Sequence, residues 1–279
     1  MTPRLALAGV TFTHPGADRA ALRGVSLELT AGEIAMVAGA AGAGASTLLL
    51  VATGLAPRLV GGTLAGSRTI GARRCGIVFA RPWTQLTGLC STVEDEVAFG
   101  PASLGRPLAE VRAAASHAIR QLGIAHLAGR DPAHLSGGEL QRVVVAAILA
   151  LGPELLALDD PAAELDPAAA DALYALLPSL AADGMTILIA TPDVERAARV
   201  ATRALVLEQG TVVADGRPAD VLPVTEVGSL ARAAGCPPPY PLDVPALLAR
   251  IAPDAGGRAH DSSDAPPAGS GPDTGAIAR

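Results

Sequence analysis

The sequence predicts an α/β fold, with a largely parallel sheet and helices on its faces. Two observations carry this expectation. Short apolar runs of strand length alternate with Ala-rich stretches of helical periodicity, and strands alternating with helices assemble as parallel sheets because each crossover is spanned by a helix. One apolar run also feeds a Gly-rich loop that opens a helix, the strand–loop–helix order of a phosphate-binding fold. Half of the 279 residues are hydrophobic, enough to fill one large domain with appendages or two small ones.

The elements follow in order. Leu5–Val10 and Val25–Leu29 read as strands, with the turn residues His14-Pro15-Gly16 between them. Residues Ile34–Pro57 carry no charge and are long enough for a membrane helix. Gly39, Gly42 and Gly44 crowd their middle, which favours a strand over Ile34–Ala38, a loop, and a helix over Ser46–Thr53. Cys75–Phe79 is another short buried-strand candidate. From Thr92 to Ala150 the pattern is helical, as in Leu108–Gly123. Leu155–Leu158 is an apolar strand ending at Asp159 and Asp160, and Pro167–Ala182 is a helix with Pro at its start. Met185–Ala190 reads as a strand, and Ala204–Leu207 with Val212–Ala214 as a closing hairpin. Beyond Pro253 the chain is rich in Gly, Pro, Ser and Asp and lacks apolar residues to bury, so residues 253–279 are expected to be a disordered tail.

Charge and cysteines narrow the function. The net charge is −6 with no basic block, which disfavours nucleic acid as a partner. Cys75, Cys90 and Cys236 are far apart and lack metal-ligand spacing, so they read as reduced thiols of a cytosolic protein. Met1–Val10 makes a poor signal peptide. All 21 basic residues are Arg, a bias against which any missing Lys has to be weighed.

Three segments carry chemistry. In Gly39-Ala40-Ala41-Gly42-Ala43-Gly44-Ala45-Ser46-Thr47, glycines let backbone N–H groups turn in around a phosphate, and the helix N-terminus adds a favourable dipole. The P-loop pattern has one defect, Ala45 where a Lys precedes Ser-Thr. The bland alternative is a tight strand-to-helix turn. Second, Asp159 closes the apolar run Leu155–Leu158, where a P-loop protein holds Mg²⁺ with the loop Ser, here Ser46. Third, Leu135-Ser136-Gly137-Gly138-Glu139-Leu140-Gln141-Arg142 leads into the apolar run Val143–Leu149. Its two glycines open a helix N-terminus to an anion; otherwise Ser136 is simply an N-cap.

This third segment resembles the signature motif of the ABC ATPases. The resemblance covers about residues 4 to 222 and implies a P-loop NTPase of the ABC type. It would have a mainly parallel sheet core, an antiparallel β subdomain and an inserted helical subdomain at about residues 90–150, all within residues 1–224. It also implies ATP and Mg²⁺ as ligands, ATP hydrolysis to ADP and phosphate, and a place on the cytoplasmic face of a membrane beside an integral transporter subunit. Ser136, Gly137, Gly138 and Glu139 would then meet the γ-phosphate held by a second ATPase subunit. Asp166, in Ala163-Glu164-Leu165-Asp166-Pro167, resembles the D-loop, and His14 sits where the family places a ring on adenine. More narrowly, Pro82-Trp83-Thr84-Gln85-Leu86 and Thr92–Pro101 look like the ATPases of energy-coupling factor vitamin and cobalt importers. Residues 225–252, with Pro237-Pro238-Pro239, resemble the dimerisation extension of that group.

Four positions depart from the family. The P-loop Lys is Ala45, the Q-loop Gln is Ala80, the carboxylate that polarises the attacking water is Asp160 rather than Glu, and the switch His is Pro192. Arg usage explains none of them. The expectation is a degenerate half of a heterodimer: a poor site of its own, and an intact signature completing the site of a second, intact ATPase. A non-transport ABC ATPase and a non-catalytic scaffold are the open alternatives.

Overall fold

A computed structural model describes residues 2–222. The expected extension, the expected tail and Cys236 lie outside the described residues. The chain runs β1 (Leu5–Thr13), β2 (Leu22–Leu29), β3 (Ile34–Gly39), α1 (Ala45–Ala52), β4 (Thr63–Ile70), β5 (Cys75–Val78), α2 (Val93–Ser103), α3 (Leu108–Gln121), α4 (Gly137–Ala150), β6 (Leu155–Asp159), α5 (Pro167–Ala182), β7 (Thr186–Ala190), α6 (Val194–Ala198), β8 (Arg203–Glu208), β9 (Thr211–Gly216) and α7 (Pro218–Val221).

Two sheets form. The larger has the order β5-β6-β7-β3-β8-β9; its strands are parallel except β9, which returns antiparallel to β8. β3, β6 and β7 are buried almost end to end, as strands covered on both faces must be, which is why they read as unbroken apolar runs. Alternate residues serve opposite sides. Met36, Leu156, Leu158, Ile187 and Ile189 pack with Val144 of α4 and Tyr174 of α5. Ala35, Val37, Leu155, Ala157 and Leu188 pack with Leu48 and Leu49 of α1 and with the smaller sheet.

The smaller sheet, β2-β1-β4, is antiparallel. Its strand β4 was not foreseen: Thr63–Ile70 has no buried residue, so neither a period-two apolar pattern nor an apolar run marks it. β1 extends past Val10 because Thr11, Phe12 and Thr13 pair with Ala65, Leu64 and Thr63 of that strand. The segment from Thr92 to Ala150 holds α2, α3 and α4, which pack on one another. The uncharged Ile34–Pro57 becomes strand, loop and helix, and among the described residues no helix is long and apolar enough to cross a membrane.

Candidate nucleotide site

β6, β7 and β3 lie side by side and run in one direction, so the chain leaves the sheet at one edge after Asp159, Ala190 and Gly39. These exits, with His14, Ala21 and Ala80, line an open cleft of about 490 Å³, within the usual size of a small-molecule site. Gly39 to Thr47 all contribute to its wall. The loop turns into α1 through Gly44, whose φ is 107° and where a Cβ would lie 2.6 Å from the Ala21 carbonyl oxygen. No side chain caps α1. Its first-turn N–H groups, which have no partner within the helix, are therefore left for an anion at the end of the helix dipole.

Ser46 and Asp159, expected as a metal pair, are brought together: the Ser46 hydroxyl donates to Asp159 Oδ1 at 2.9 Å. A hydroxyl and a carboxylate are hard oxygen donors of the kind that hold Mg²⁺ together with substrate phosphates, so the residues present fit that ion. Burial raises the Asp159 pKa from its ordinary value; the Ser46 hydroxyl opposes this, and the Asp160 charge adds to it. Asp160 has a left-handed backbone, φ 45°. Its N–H donates to the Ala190 carbonyl at 2.7 Å, and its Oδ1 accepts from the Thr191 hydroxyl at 3.2 Å. Burial again raises its pKa, against that hydrogen bond and with a contribution from Asp193. His14 Nε2 is 3.0 Å from Thr47 Oγ1, and its ring meets Phe12 edge to face, centroids 4.9 Å apart.

The altered positions converge. Ala45, Ala80 and Pro192 all line this cleft, beside Asp160. Ser136 to Glu139, expected as the signature, and Asp166, expected in the D-loop, do not line it. Ser136 caps α4, and its backbone N–H and hydroxyl donate to Glu139 Oε2 at 2.9 and 2.8 Å. The Glu139 N–H returns a bond to Ser136 Oγ at 3.3 Å, completing a capping box. The Ser136 backbone N–H, then its hydroxyl, hold the Glu139 carboxyl below its ordinary range. Asp166 caps α5 by accepting from the Ala169 N–H at 2.9 Å.

Three residues that were not singled out as site residues matter here. Thr191 orients Asp160. Glu164 lies against the signature, with Oε2 2.9 Å from where a Gly137 Cβ would stand. Gln85 accepts from the Phe79 N–H at 2.7 Å and donates to the Ile77 carbonyl at 2.8 Å, fixing the chain next to Ala80. It belongs to a 3-10 turn, Pro82–Gln85, that exposes Trp83. Gln85 and Glu164 stand in the patterns Pro82–Leu86 and Ala163–Pro167; what sequence does not show, for them or for Thr191, is the contact each makes.

The family profile described as ABC transporter matches residues 22–163. The chain is 41% identical over 248 residues to the nickel import ATP-binding protein NikO of Rhodobacter capsulatus, covering 83% of this chain and 96% of that one. It is 35% identical to the energy-coupling factor transporter ATP-binding protein EcfA of Methanothermobacter thermautotrophicus, covering 77% of this chain and 71% of that one. Among solved structures it is similar to cbiO1 of Clostridium perfringens, described as part of the ABC transporter complex cbiONQ. That match has a TM-score of 0.70 at 26% identity and covers 84% of this chain and 95% of that one.

Proposed function

The chain belongs to the ABC transporter family, and from that membership we propose that it is the ATP-binding subunit of an energy-coupling factor type importer, acting as the degenerate half of a heterodimeric ATPase. One observation carries the reading. Ala45, Ala80 and Pro192 gather in a single cleft with Asp160, whereas the signature helix lies apart from that cleft with its cap complete. The damage falls on one half of the machinery and spares the other.

The cleft binds the phosphates of ATP through the loop amides and the α1 N-terminus, with Ser46 and Asp159 as the residues that would hold Mg²⁺. That ion, when bound, would neutralise charge on the phosphates. Ala45 supplies no such charge, and losing a charge-assisted contact costs about 1.5–3 kcal/mol. Asp160 carries its carboxylate one methylene short of Glu, and a misplacement of about 1 Å can lose ~10²-fold in rate. Pro192 has no titratable group. The chain therefore binds Mg·ATP weakly and hydrolyses it poorly. Its signature residues, with Asp166 in the segment whose Glu164 and Leu165 lie against Gly137 and Gly138, complete the good site of a second, intact ATPase. The pair works against an integral membrane subunit on the cytoplasmic face of the membrane, without nucleic acid. The name of the nickel-import relative favours a transition-metal cation as cargo.

The test acts in trans. Ser136→Arg in this chain, with the partner wild type, places a bulky cation on the helix end that faces the partner's γ-phosphate. ATPase activity of the purified complex is expected to collapse, although the altered chain hydrolyses almost nothing itself. Unchanged activity would rule the heterodimer reading out.

A further inference from the structure

The charge around the cleft is one-sided. Among the described residues that line it, Asp159 and Asp160 are the charged side chains, and no Arg reaches the wall. The chain has no Lys in its whole length, so no flexible ammonium from another segment can swing in. What remains for an anion is dipolar: the loop N–H groups and the uncapped end of α1. Dipoles hold phosphate, but they do not cancel a charge of three or four facing two adjacent carboxylates. The loop's two hydroxyls are also engaged, Ser46 with Asp159 and Thr47 with the His14 ring.

We propose that this cleft binds nucleotide chiefly as its divalent-metal complex, so that free ATP binds far more weakly and the cation is part of the ligand. The inference rests on the nucleotide reading of the site and goes beyond it. In an ordinary P-loop the Lys carries positive charge permanently, and the cation adds to it. Here the cation is the sole neutralising charge, because Ala45 replaces the fixed one. The coupling is reciprocal: ATP must raise the affinity for the cation by the same factor as the cation raises the affinity for ATP. The chain alone is then a poor cation site and a poor ATP site, and becomes a working site only when both arrive.

Equilibrium titration of the full chain with ATP, in MgCl₂ and separately in EDTA, tests this. Affinity in EDTA is expected to be lower by roughly 10- to 100-fold, the worth of a charge-assisted contact. Two variants fix the cause. Ala45→Lys should raise affinity in EDTA and shrink the difference to a few-fold. Asp159→Asn should act in opposite directions, weakening binding in MgCl₂ while tightening it in EDTA, since it removes both a cation ligand and a repelling charge. A purely structural role for Asp159 would weaken both. ATP binding equally well in both media overturns the inference and leaves the nucleotide site standing; so does an Ala45→Lys chain that gains nothing in EDTA because Arg81, next to Ala80, already serves. Absence of binding in either medium up to millimolar ATP overturns the inference together with the nucleotide reading.

Discussion

Ala45 puts a methyl group at the place in the loop where phosphate charge has to be met, and repairing it alone is not expected to repair the site. On the proposed reading, the cleft of Ala45→Lys still lacks a water-positioning group at Ala80 and a switch at Pro192, two positions that line the same cleft. Turnover of the isolated variant, measured by phosphate release, should stay within a few-fold of the parent, because phosphoryl transfer needs positioning and charge together. A different residue carries stability. Glu96 is 4% exposed and accepts from the Thr87 N–H and hydroxyl, both at 2.7 Å. Glu96→Ala strands those donors and should cost about 1–3 kcal/mol in denaturant unfolding. Ala45, Ser46, Asp159 and Pro192 were legible in sequence because each belongs to a short fixed pattern. Thr191 and Glu164 were not, since what defines them is a contact with a segment distant in the chain, such as Asp160 for Thr191.

Between elements, Glu154 joins the two sheets. It precedes β6, pairs with Arg4 at the start of β1 at 2.5 Å and accepts from the Arg73 N–H before β5 at 2.9 Å. The Arg73 N–H is the main reason its carboxyl titrates below the ordinary value, with Arg4, Arg73 and Arg74 adding to it against burial. A depressed pKa in the folded state means that the folded form holds fewer protons than the unfolded one. The stabilisation is therefore complete above the unfolded pKa and fades as pH falls through the folded pKa. Glu154→Gln should lower the melting temperature at neutral pH, and the gap to the parent should close in acid, below the usual carboxylate range. Thermal scans across pH measure both. At this scale the sequence exposes buried parallel strands best, since β3, β6 and β7 are apolar on both faces. It hides β4, which is paired along its length with β1 and offers only Leu64 and Ile70, both partly buried, to the core.

For the whole molecule, on the proposed reading of an altered cleft apart from an intact signature, the solitary chain is expected to be nearly inert. Its ATPase rate is expected to lie at least about 10²-fold below that of an unaltered relative assayed alongside, and adding the intact partner should reveal activity that neither subunit shows alone. A rate for the solitary chain equal to that of the relative would contradict the degenerate-site reading. The overall α/β architecture was legible because its period and its loop glycines are local signals; the cleft's shape was not, because six separate segments meet to make it. The exposed turn next to Ala80 has a practical consequence. Trp83 is the single tryptophan of the chain and is 53% exposed, so one tryptophan emission arises from the turn that follows cleft residue Ala80. A shift in its emission would report a change of surroundings at that turn without any label.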